Sequence, residues 1–252
     1  MVTKKSQFQK SSEFYNLIYQ NKDSYGEAAY IDKFIKRFKK NTQKILELGC
    51  GTGRHLLEML KLGYKVKGID ISNEMLKLIP KLDGVELECS DIVNFRSDIK
   101  FDVITALFHV VSYVNELDSL DNLFRNTKEN LNKGGLFIFD IWFSPAVMNI
   151  MPSTRVMEVS NNNYEITRLA IPKIDYLKNI IQVDYKFFIF DKINKLNKTF
   201  EETHLMRHYS IPEIDSIAKK YGFEKLINEE WLTGNKPSNK TWGIVFIYKN
   251  EQ

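Results

Sequence analysis

The sequence is poor in cysteine and contains no long apolar run. Only Cys50 and Cys89 occur among 252 residues, so a disulfide framework is excluded and a reducing compartment, the cytoplasm, is expected. No apolar stretch of about eighteen residues is present, and residues 1–10 are polar where a signal peptide carries an apolar core. We therefore expect no secretion, no membrane-spanning segment and no membrane partner.

The chain also lacks a concentrated charge of one sign. Its net charge of +4 arises from lysines and arginines that are spread along the chain with acidic residues between them. A nucleic-acid-binding protein clusters its basic residues in a patch or stripe, so no nucleic-acid partner is expected. His204 and His208 share a face of a predicted strand, but no third ligand has metal-site spacing, and no metal is expected.

Alternation of apolar strands with amphipathic helices predicts an α/β fold with a parallel sheet. The sheet is expected to be Rossmann-like, with about seven strands, helices on both faces and an antiparallel β insert after strand five. We predict one domain, residues 1–252, with flanking helices in 1–40 and the insert, an acceptor platform, at 155–209. The predicted sheet strands after the first are 65–70, 85–89, 101–108, 136–141, 223–231 and 242–248. The predicted insert strands are 164–171, 180–191 and 198–209.

The most informative segment is ILELGCGTG at residues 45–53, which joins an apolar strand to a glycine-rich turn. Gly49 and Gly51 permit a sharp turn and bring backbone amides close to a ligand. An acid follows about twenty positions later at Asp70, the spacing of a nucleotide-like cofactor site. A dinucleotide fingerprint requires Gly or Ala where Arg54 stands. A plain strand–turn–helix connection with an unrelated acid is the alternative.

The acid-x-Gly-x-Gly-x-Gly spacing from Glu47 to Gly53 resembles motif I of the class I S-adenosylmethionine-dependent methyltransferases. The resemblance implies S-adenosylmethionine as the cofactor, with its ammonium on Glu47 and both ribose hydroxyls on Asp70. It also implies an acid beside the adenine amino group, where Asp91 stands. The implied cofactor-binding residues are Tyr15, Glu47, Gly49, Cys50, Gly51, Gly53, Asp70, Ile71, Met75, Asp91, Ile92 and Leu107.

Further segments are similar to a narrower methyltransferase group associated with nucleotide-sugar and surface-polysaccharide biosynthesis, and to aminosugar N,N-dimethyltransferases of antibiotic pathways. These segments are residues 14–15, 25–29, 109–113, 139–147 and 230–234. In the aminosugar enzymes a tyrosine near the amino terminus and a histidine after the fourth strand lie by the reacting amine. Tyr15 matches that tyrosine, whereas Tyr113 stands in the histidine's place and His109 comes one turn earlier.

His109, Tyr113 and Tyr15 are the candidate catalytic residues. Methyl transfer from a sulfonium mainly requires alignment of donor and acceptor, but a hydroxyl or ammonium acceptor must also lose a proton. His109 follows the fourth strand at the edge where open α/β sheets bind ligands, and histidine suits proton transfer at neutral pH. The alternatives are a histidine that only bonds backbone or cofactor, and tyrosines that only pack in the core.

The candidate acceptor-binding residues are Asp140, Trp142, Arg168, His204 and Arg207. Asp140 and Trp142 stand at the end of the fifth strand, on the ligand edge. Arg168 and Arg207 lie on strands of the insert, and their guanidinium geometry suits a phosphate of the acceptor. A solvated surface pair is the alternative.

The sequence therefore predicts a methyltransferase that acts on a hydroxyl or amino group of a nucleotide-linked sugar or a capsule or surface-polysaccharide precursor. One alternative is methylation of a small metabolite such as a phosphoramidate or amino compound. Another, of a different class, is a non-catalytic cofactor-binding module. The expected partner is a small-molecule or nucleotide-sugar acceptor, and a homodimer remains open.

Overall fold

The computed structural model describes Phe8 and residues 10–251 of the chain. The helices are α1 (Tyr15–Ile18), α2 (Ser24–Phe38), α3 (Arg54–Lys61), α4 (Asn73–Leu76), α5 (Leu117–Asn130), α6 (Ser144–Ile150) and α7 (Ile211–Lys220). The strands are β1 (Lys44–Leu48), β2 (Lys65–Asp70), β3 (Val85–Cys89), β4 (Phe101–Ala106), β5 (Leu131–Trp142), β6 (Arg155–Ser160), β7 (Tyr164–Asp175), β8 (Ile180–Asp191), β9 (Leu196–Arg207), β10 (Phe223–Glu230) and β11 (Gly243–Asn250). A short 3₁₀ helix, Val110–Tyr113, follows β4.

One seven-stranded sheet has the order β10-β11-β5-β4-β1-β2-β3. Strands β1 to β5 pair in parallel with their neighbours, whereas β11 runs antiparallel to β5 and β10. Two apolar clusters fill the two faces of the sheet, one against α5 and α7 and the other against α2 and α3. Central strands such as β4 are covered on both faces, and all residues of β4 except Asp102 are buried. The predicted Rossmann-like sheet of about seven strands is confirmed.

The strand order places a crevice between β1 and β4. From β1 the chain moves outward to β2 and β3 on one side, and then returns to β4 on the other. Connections that leave neighbouring strands in opposite directions separate at the carboxyl edge of the sheet, where open α/β folds bind ligands. The glycine-rich turn after β1 and the corner after β4 meet at this edge.

A second, antiparallel sheet with the order β6-β7-β8-β9 lies between α6 and α7 in the chain. The predicted antiparallel insert after strand five is confirmed, but it has four strands where the sequence predicts three. The additional strand β6 is an edge strand without polar–apolar alternation, and its Val156 is 62% exposed. Arg168, Tyr185 and His204 share one face of this sheet, as the strand register and the two-residue repeat require.

The predicted flanking region 1–40 contains α1 and α2, while residues 1–7 and 9 lie outside the described residues. The Asp23 side chain accepts a hydrogen bond from a backbone N–H of the first turn and begins α2. Ahead of α1, the backbone N–H groups of Lys10 and Ser11 donate to Oε1 of Glu202 at 2.8 and 3.0 Å. These bonds tie the segment before α1 to the insert. No helix formed by the described residues is long and apolar enough to cross a membrane.

Several predicted boundaries differ from the structure. The strand predicted at 101–108 ends at Ala106, because Phe108 and His109 adopt positive φ angles of 66° and 62°. The strand predicted at 136–141 spans Leu131–Trp142, because α5 ends at Asn130 and β5 begins at once. Ser72 caps α4, which is a single turn.

Candidate active site

A cavity of about 360 Å³ lies at the carboxyl edge of the seven-stranded sheet. The segments that follow β1 to β5 line it, together with Tyr19 ahead of α2 and with Tyr185 and Met206 of the insert. The volume is in the range of about 300–1,000 Å³ that small-molecule sites occupy. The predicted site residues that line the cavity are Tyr15, Glu47, Gly49, Cys50, Gly51, Asp70, Ile71, Met75, Asp91, Ile92, Leu107, His109, Tyr113 and Trp142.

Five predicted site residues do not line this cavity. Gly53 begins α3 with a φ of 75°, so it shapes the loop from behind. Asp140 is 1% exposed and contacts His109. Arg168 and His204 line a smaller cavity that shares Tyr15, Tyr19, Tyr113 and Tyr185 with the first. Arg207 lines neither.

The structure thus places Arg207, predicted to bind the acceptor, outside both cavities. Its Nη2 donates to Oε1 of Glu213 at 2.8 Å, and its Nη1 donates to the carbonyl of Lys178 at 3.1 Å. Glu213 is also part of the capping box of α7. The guanidinium thus fixes the start of α7 to the turn between β7 and β8, and its charge is already paired.

Two glycines of the turn after β1 have different surroundings. Gly49 has a φ of 66°, and a Cβ at this position would lie 2.7 Å from Cγ1 of Val110. Gly51 has a φ of 54° but no described atom within 4 Å of its Cβ position. Gly49 is therefore required by its packing against Val110, whereas Gly51 leaves space free at the cavity wall.

Asp70 is held by the turn that it faces. Its Oδ2 accepts a hydrogen bond from the backbone N–H of Gly51, and its Oδ1 accepts one from Ser72, both at 2.8 Å. Burial raises the pKa of Asp70, although these two hydrogen bonds oppose the rise. Each carboxylate oxygen keeps a lone pair for a further donor, so the group can accept hydrogen bonds from a pair of ribose hydroxyls.

Glu47 belongs to a buried ion cluster that comprises Lys22, Glu27, Glu47 and His55. Nε2 of His55 lies 2.5 Å from Oε2 of Glu27, its Nδ1 lies 3.5 Å from Oε1 of Glu47, and Lys22 pairs with Glu27. Burial alone would lower the pKa of His55, but the two glutamates outweigh it and raise the pKa to about 9. Oε2 of Glu47 is buried and has no hydrogen-bond partner among the described residues. It is a ready acceptor for an ammonium group.

Sequence reasoning missed the other three members of this ion cluster. His55 follows the glycine-rich turn, and its place in the first turn of α3 was a usable signal. Lys22 and Glu27 come from the start of α2 and reach His55 only through the packing of α2 against α3. No local pattern in the sequence indicates that contact.

His109 stands on a strained corner with Asp140 behind it. The positive φ angles of Phe108 and His109 are unusual for residues other than glycine. The backbone N–H of His109 donates to both carboxylate oxygens of Asp140, at 3.2 and 3.1 Å, and its Nδ1 lies 2.6 Å from Oδ2. The contact at Nδ1 is an ion-pair distance without hydrogen-bond geometry. Because the Asp140 carboxylate stands against Nδ1, Nε2 is the ring nitrogen left for a ligand in the cavity.

Tyrosines surround the side of the cavity that faces the insert. Burial raises the pKa of Tyr15 and of Tyr113 far above its ordinary value, and it raises the pKa of Tyr185 to about 12. These phenols are therefore uncharged hydrogen-bonding groups at neutral pH. Oη of Tyr113 lies 3.0 Å from Nδ1 of His204, which joins the corner after β4 to the insert.

The glycine-rich turn, Asp70 and the open carboxylate oxygen of Glu47 together fit a ligand with a ribose and an amino-acid end. On a Rossmann-like sheet, these features define a class of enzyme that binds an adenosyl amino acid. A family model described as a methyltransferase domain matches residues 23–227, and the chain belongs to this family. It is a methyltransferase, and its cofactor is S-adenosylmethionine.

Known proteins resemble the chain over different lengths. A dTDP-4-amino-2,3,4,6-tetradeoxy-D-glucose N,N-dimethyltransferase from Saccharopolyspora spinosa is 30% identical over 138 residues, 53% of this chain and 55% of that enzyme. The alignment thus spans about half of that relative. Putative methyltransferase YqeM from Bacillus subtilis is 23% identical over 85% of this chain and 87% of its own length.

Solved structures match nearly the whole chain. An amino pentose methyltransferase from Micromonospora echinaspora, solved with S-adenosylmethionine bound, has a TM-score of 0.76 and 21% identity, and covers 96% of this chain and 97% of its own. At this identity the likeness shows the fold. The chain is thus close to aminosugar N-methyltransferases in both sequence and fold.

Proposed function

We propose that this methyltransferase transfers a methyl group to an amino or hydroxyl group of a small, nucleotide-linked sugar. When bound, S-adenosylmethionine supplies an activated methyl group on a sulfonium. Glu47 would hold the ammonium of its methionine part, Asp70 the ribose and Asp91 the adenine edge. The turn around Gly51 would lie against the ligand, because no side chain fills that space.

The contact between His109 and Asp140 carries the catalytic part of the proposal. A lone pair on nitrogen or oxygen of the acceptor forms a bond to the methyl carbon as the bond from carbon to sulfur breaks. The proton of the acceptor passes to Nε2 of His109, and the buried carboxylate of Asp140, 2.6 Å from Nδ1, stabilises the imidazolium that results. Transfer of this proton makes methylation of an ammonium or hydroxyl feasible at neutral pH.

One observation supports a nucleotide-linked sugar as acceptor, and Arg168 is the residue of the insert considered for its phosphate. The relative from Saccharopolyspora spinosa is named for such a substrate. In the smaller cavity, Arg168 donates from Nη1 to Oη of Tyr19 at 3.2 Å, and its Nε is buried without a hydrogen-bond partner among the described residues. The guanidinium lies over the rings of Tyr19 and Tyr185 at 5.6 and 5.2 Å, and the cavity beside it has a volume of only about 20 Å³. A phosphate of the acceptor would therefore reach Arg168 only if these side chains move.

The test is an acceptor panel with isotope-labelled S-adenosylmethionine, read by mass spectrometry. The panel contains dTDP-aminosugars, the same aminosugars without the nucleotide, other nucleotide sugars, and small amines and phosphoramidates. We expect label in a nucleotide-linked sugar and weaker labelling of its free form. Labelling of small amines or phosphoramidates alone would contradict the proposed acceptor, and binding of the cofactor without turnover of any compound would contradict catalysis.

His109→Gln tests the proton-transfer step on the acceptor that the panel identifies. We expect kcat to fall by about 10²–10⁴-fold, while the affinity for S-adenosylmethionine changes little in calorimetry, because the change removes a base and not a cofactor contact. His208→Gln is the matched control, since His208 is also buried but bonds Ser144 outside both cavities. Equal kcat in the His109 variant and the wild type would remove His109 from the mechanism.

A further inference from the structure

One histidine of the insert contacts the wall of the reaction cavity without lining the cavity itself. His204 on β9 is 3% exposed and lies 3.0 Å through Nδ1 from Oη of Tyr113. The rings of Phe8, Tyr113 and Tyr185 surround it, with centroid distances of 4.4, 5.8 and 4.9 Å. Phe8, Tyr113 and Tyr185 all line the main cavity, and Tyr113 is the one among them that His204 contacts at hydrogen-bond distance.

The hydrogen on the His204 ring is located by its other neighbour. Nε2 of His204 is buried without a hydrogen-bond partner among the described residues and lies 3.6 Å from Oε2 of Glu202, so the two interact through charge and not through a hydrogen bond. Glu202 is a buried carboxylate that is itself fixed by Lys10 and Ser11. A negative charge beside Nε2 favours the tautomer with hydrogen on Nε2. Nδ1 is then an acceptor, and the contact to Tyr113 is a hydrogen bond that the phenol donates.

A phenol that donates its hydrogen away from the cavity presents only lone pairs to it. We propose that His204, held by Glu202, is a positioning residue that makes the oxygen of Tyr113 a hydrogen-bond acceptor for the N–H or O–H of the methyl acceptor. This inference rests on the proposed function and narrows the acceptor atom to one that carries hydrogen. The bond orients the nucleophile by its hydrogen, so that its lone pair is directed toward the methyl group.

The proposal selects a class of acceptor atom. A nucleophile that carries hydrogen, such as an amine or a hydroxyl, forms the bond to Tyr113. A thioether or a tertiary amine without hydrogen would face the lone pairs of the phenol with lone pairs of its own. The same contact explains why His204, predicted as an acceptor-binding residue, lies behind Tyr113 and not in the main cavity.

The first test measures the imidazole hydrogens by ¹⁵N NMR at pH 8, without any acceptor. The chain has four histidines, so each ring is assigned by the loss of its signals in a variant. We expect His204 to carry hydrogen on Nε2 and none on Nδ1. In Tyr113→Phe, the Nδ1 signal should move toward the value of an unprotonated nitrogen without a hydrogen bond. Hydrogen on Nδ1 in the wild type, or an unchanged Nδ1 signal in Tyr113→Phe, would overturn the proposal.

The second test uses turnover of a dTDP-aminosugar with a primary amine. Tyr113→Phe and His204→Gln should each lower kcat/KM by about tenfold or more, the effect of one lost hydrogen bond to a reacting group. The double variant should be no slower than the single ones, because His204 acts only through Tyr113. Additive losses of kcat/KM in the double variant, or full activity of His204→Gln, would overturn the proposal.

His208→Gln serves as control for the loss of a buried histidine, and we expect it to keep wild-type kcat/KM and unchanged His204 signals. Affinity for S-adenosylmethionine, measured by calorimetry, reports whether the variants keep their fold. If no compound is methylated by the wild type, the proposed function fails, whereas the NMR result still decides the position of the His204 hydrogen. The two failures are therefore distinguishable.

Discussion

The buried ion cluster of Lys22, Glu27, Glu47 and His55 should make the stability of the protein depend on pH. The pKa of His55 rises from its ordinary value of 6.5 to about 9 in the folded protein. At about 1.4 kcal/mol per pH unit, this rise corresponds to roughly 3 kcal/mol of stabilisation. The interaction that raises this pKa also lowers the pKa of Glu27, so the two shifts describe one contribution and are not added.

The sign follows from the direction of the shift. A folded-state pKa above the unfolded value means that the contribution is fully present below pH 6.5 and is lost as the pH rises through 9. Urea denaturation without cofactor should show that the wild type loses about 3 kcal/mol of unfolding free energy between pH 6 and pH 9. In His55→Gln this loss should be absent, because no group at position 55 exchanges a proton in that range.

His208→Gln provides the control for this experiment. Burial lowers the pKa of His208, so the pH dependence that His208 itself contributes lies below pH 6.5. Above pH 6.5, this variant should lose unfolding free energy with rising pH as the wild type does. A wild type with flat stability from pH 6 to pH 9 would refute the reasoning. So would a His55→Gln variant that keeps the wild-type slope.

Two further predictions concern the cofactor side of the cavity. Asp70→Asn should raise the Kd for S-adenosylmethionine in calorimetry by about 10–100-fold, the worth of charge-assisted hydrogen bonds, with an unchanged circular dichroism spectrum; unaltered affinity would remove the ribose role. Gly51→Ala should destabilise the fold by only about 1–2 kcal/mol, through its positive φ, yet lose cofactor affinity. Gly63→Ala, also at positive φ with no atom near, should cost similar stability and keep the affinity; equal affinity losses would show that backbone strain alone is responsible.

Local patterns predicted the parts of the fold that depend on local physics. Strands β2 and β3 have the predicted bounds, because apolar runs ended by turn residues leave little choice of register. The turn from Gly49 to Gly53 was recognisable since its positive φ angles require glycine. Strand β6 was missed because its residues are mostly exposed and its pairing partner β7, not its own pattern, makes it a strand.

The contacts that give the site its chemistry were beyond sequence reasoning. Asp140 was predicted to touch the acceptor, but the parallel pairing of β4 with β5 brings it against His109, 31 residues away in the chain. His204 and Tyr113 are separated by 91 residues and meet only when the insert folds over the corner after β4. Sequence reasoning found most residues around the cavity, whereas their partners depend on long-range packing.

The left-handed corner at Phe108 and His109 has a consequence for protein engineering. Glycine adopts such angles freely, so Phe108→Gly would relieve backbone strain there, although it would also remove the contacts of the Phe108 ring with Tyr19 and Lys22. The bulky residue nonetheless leaves the loop fewer alternative shapes, and the imidazole after it depends on that rigidity. A more heat-resistant variant obtained at this position should therefore have a lower turnover, and stabilising mutations should leave this corner unchanged.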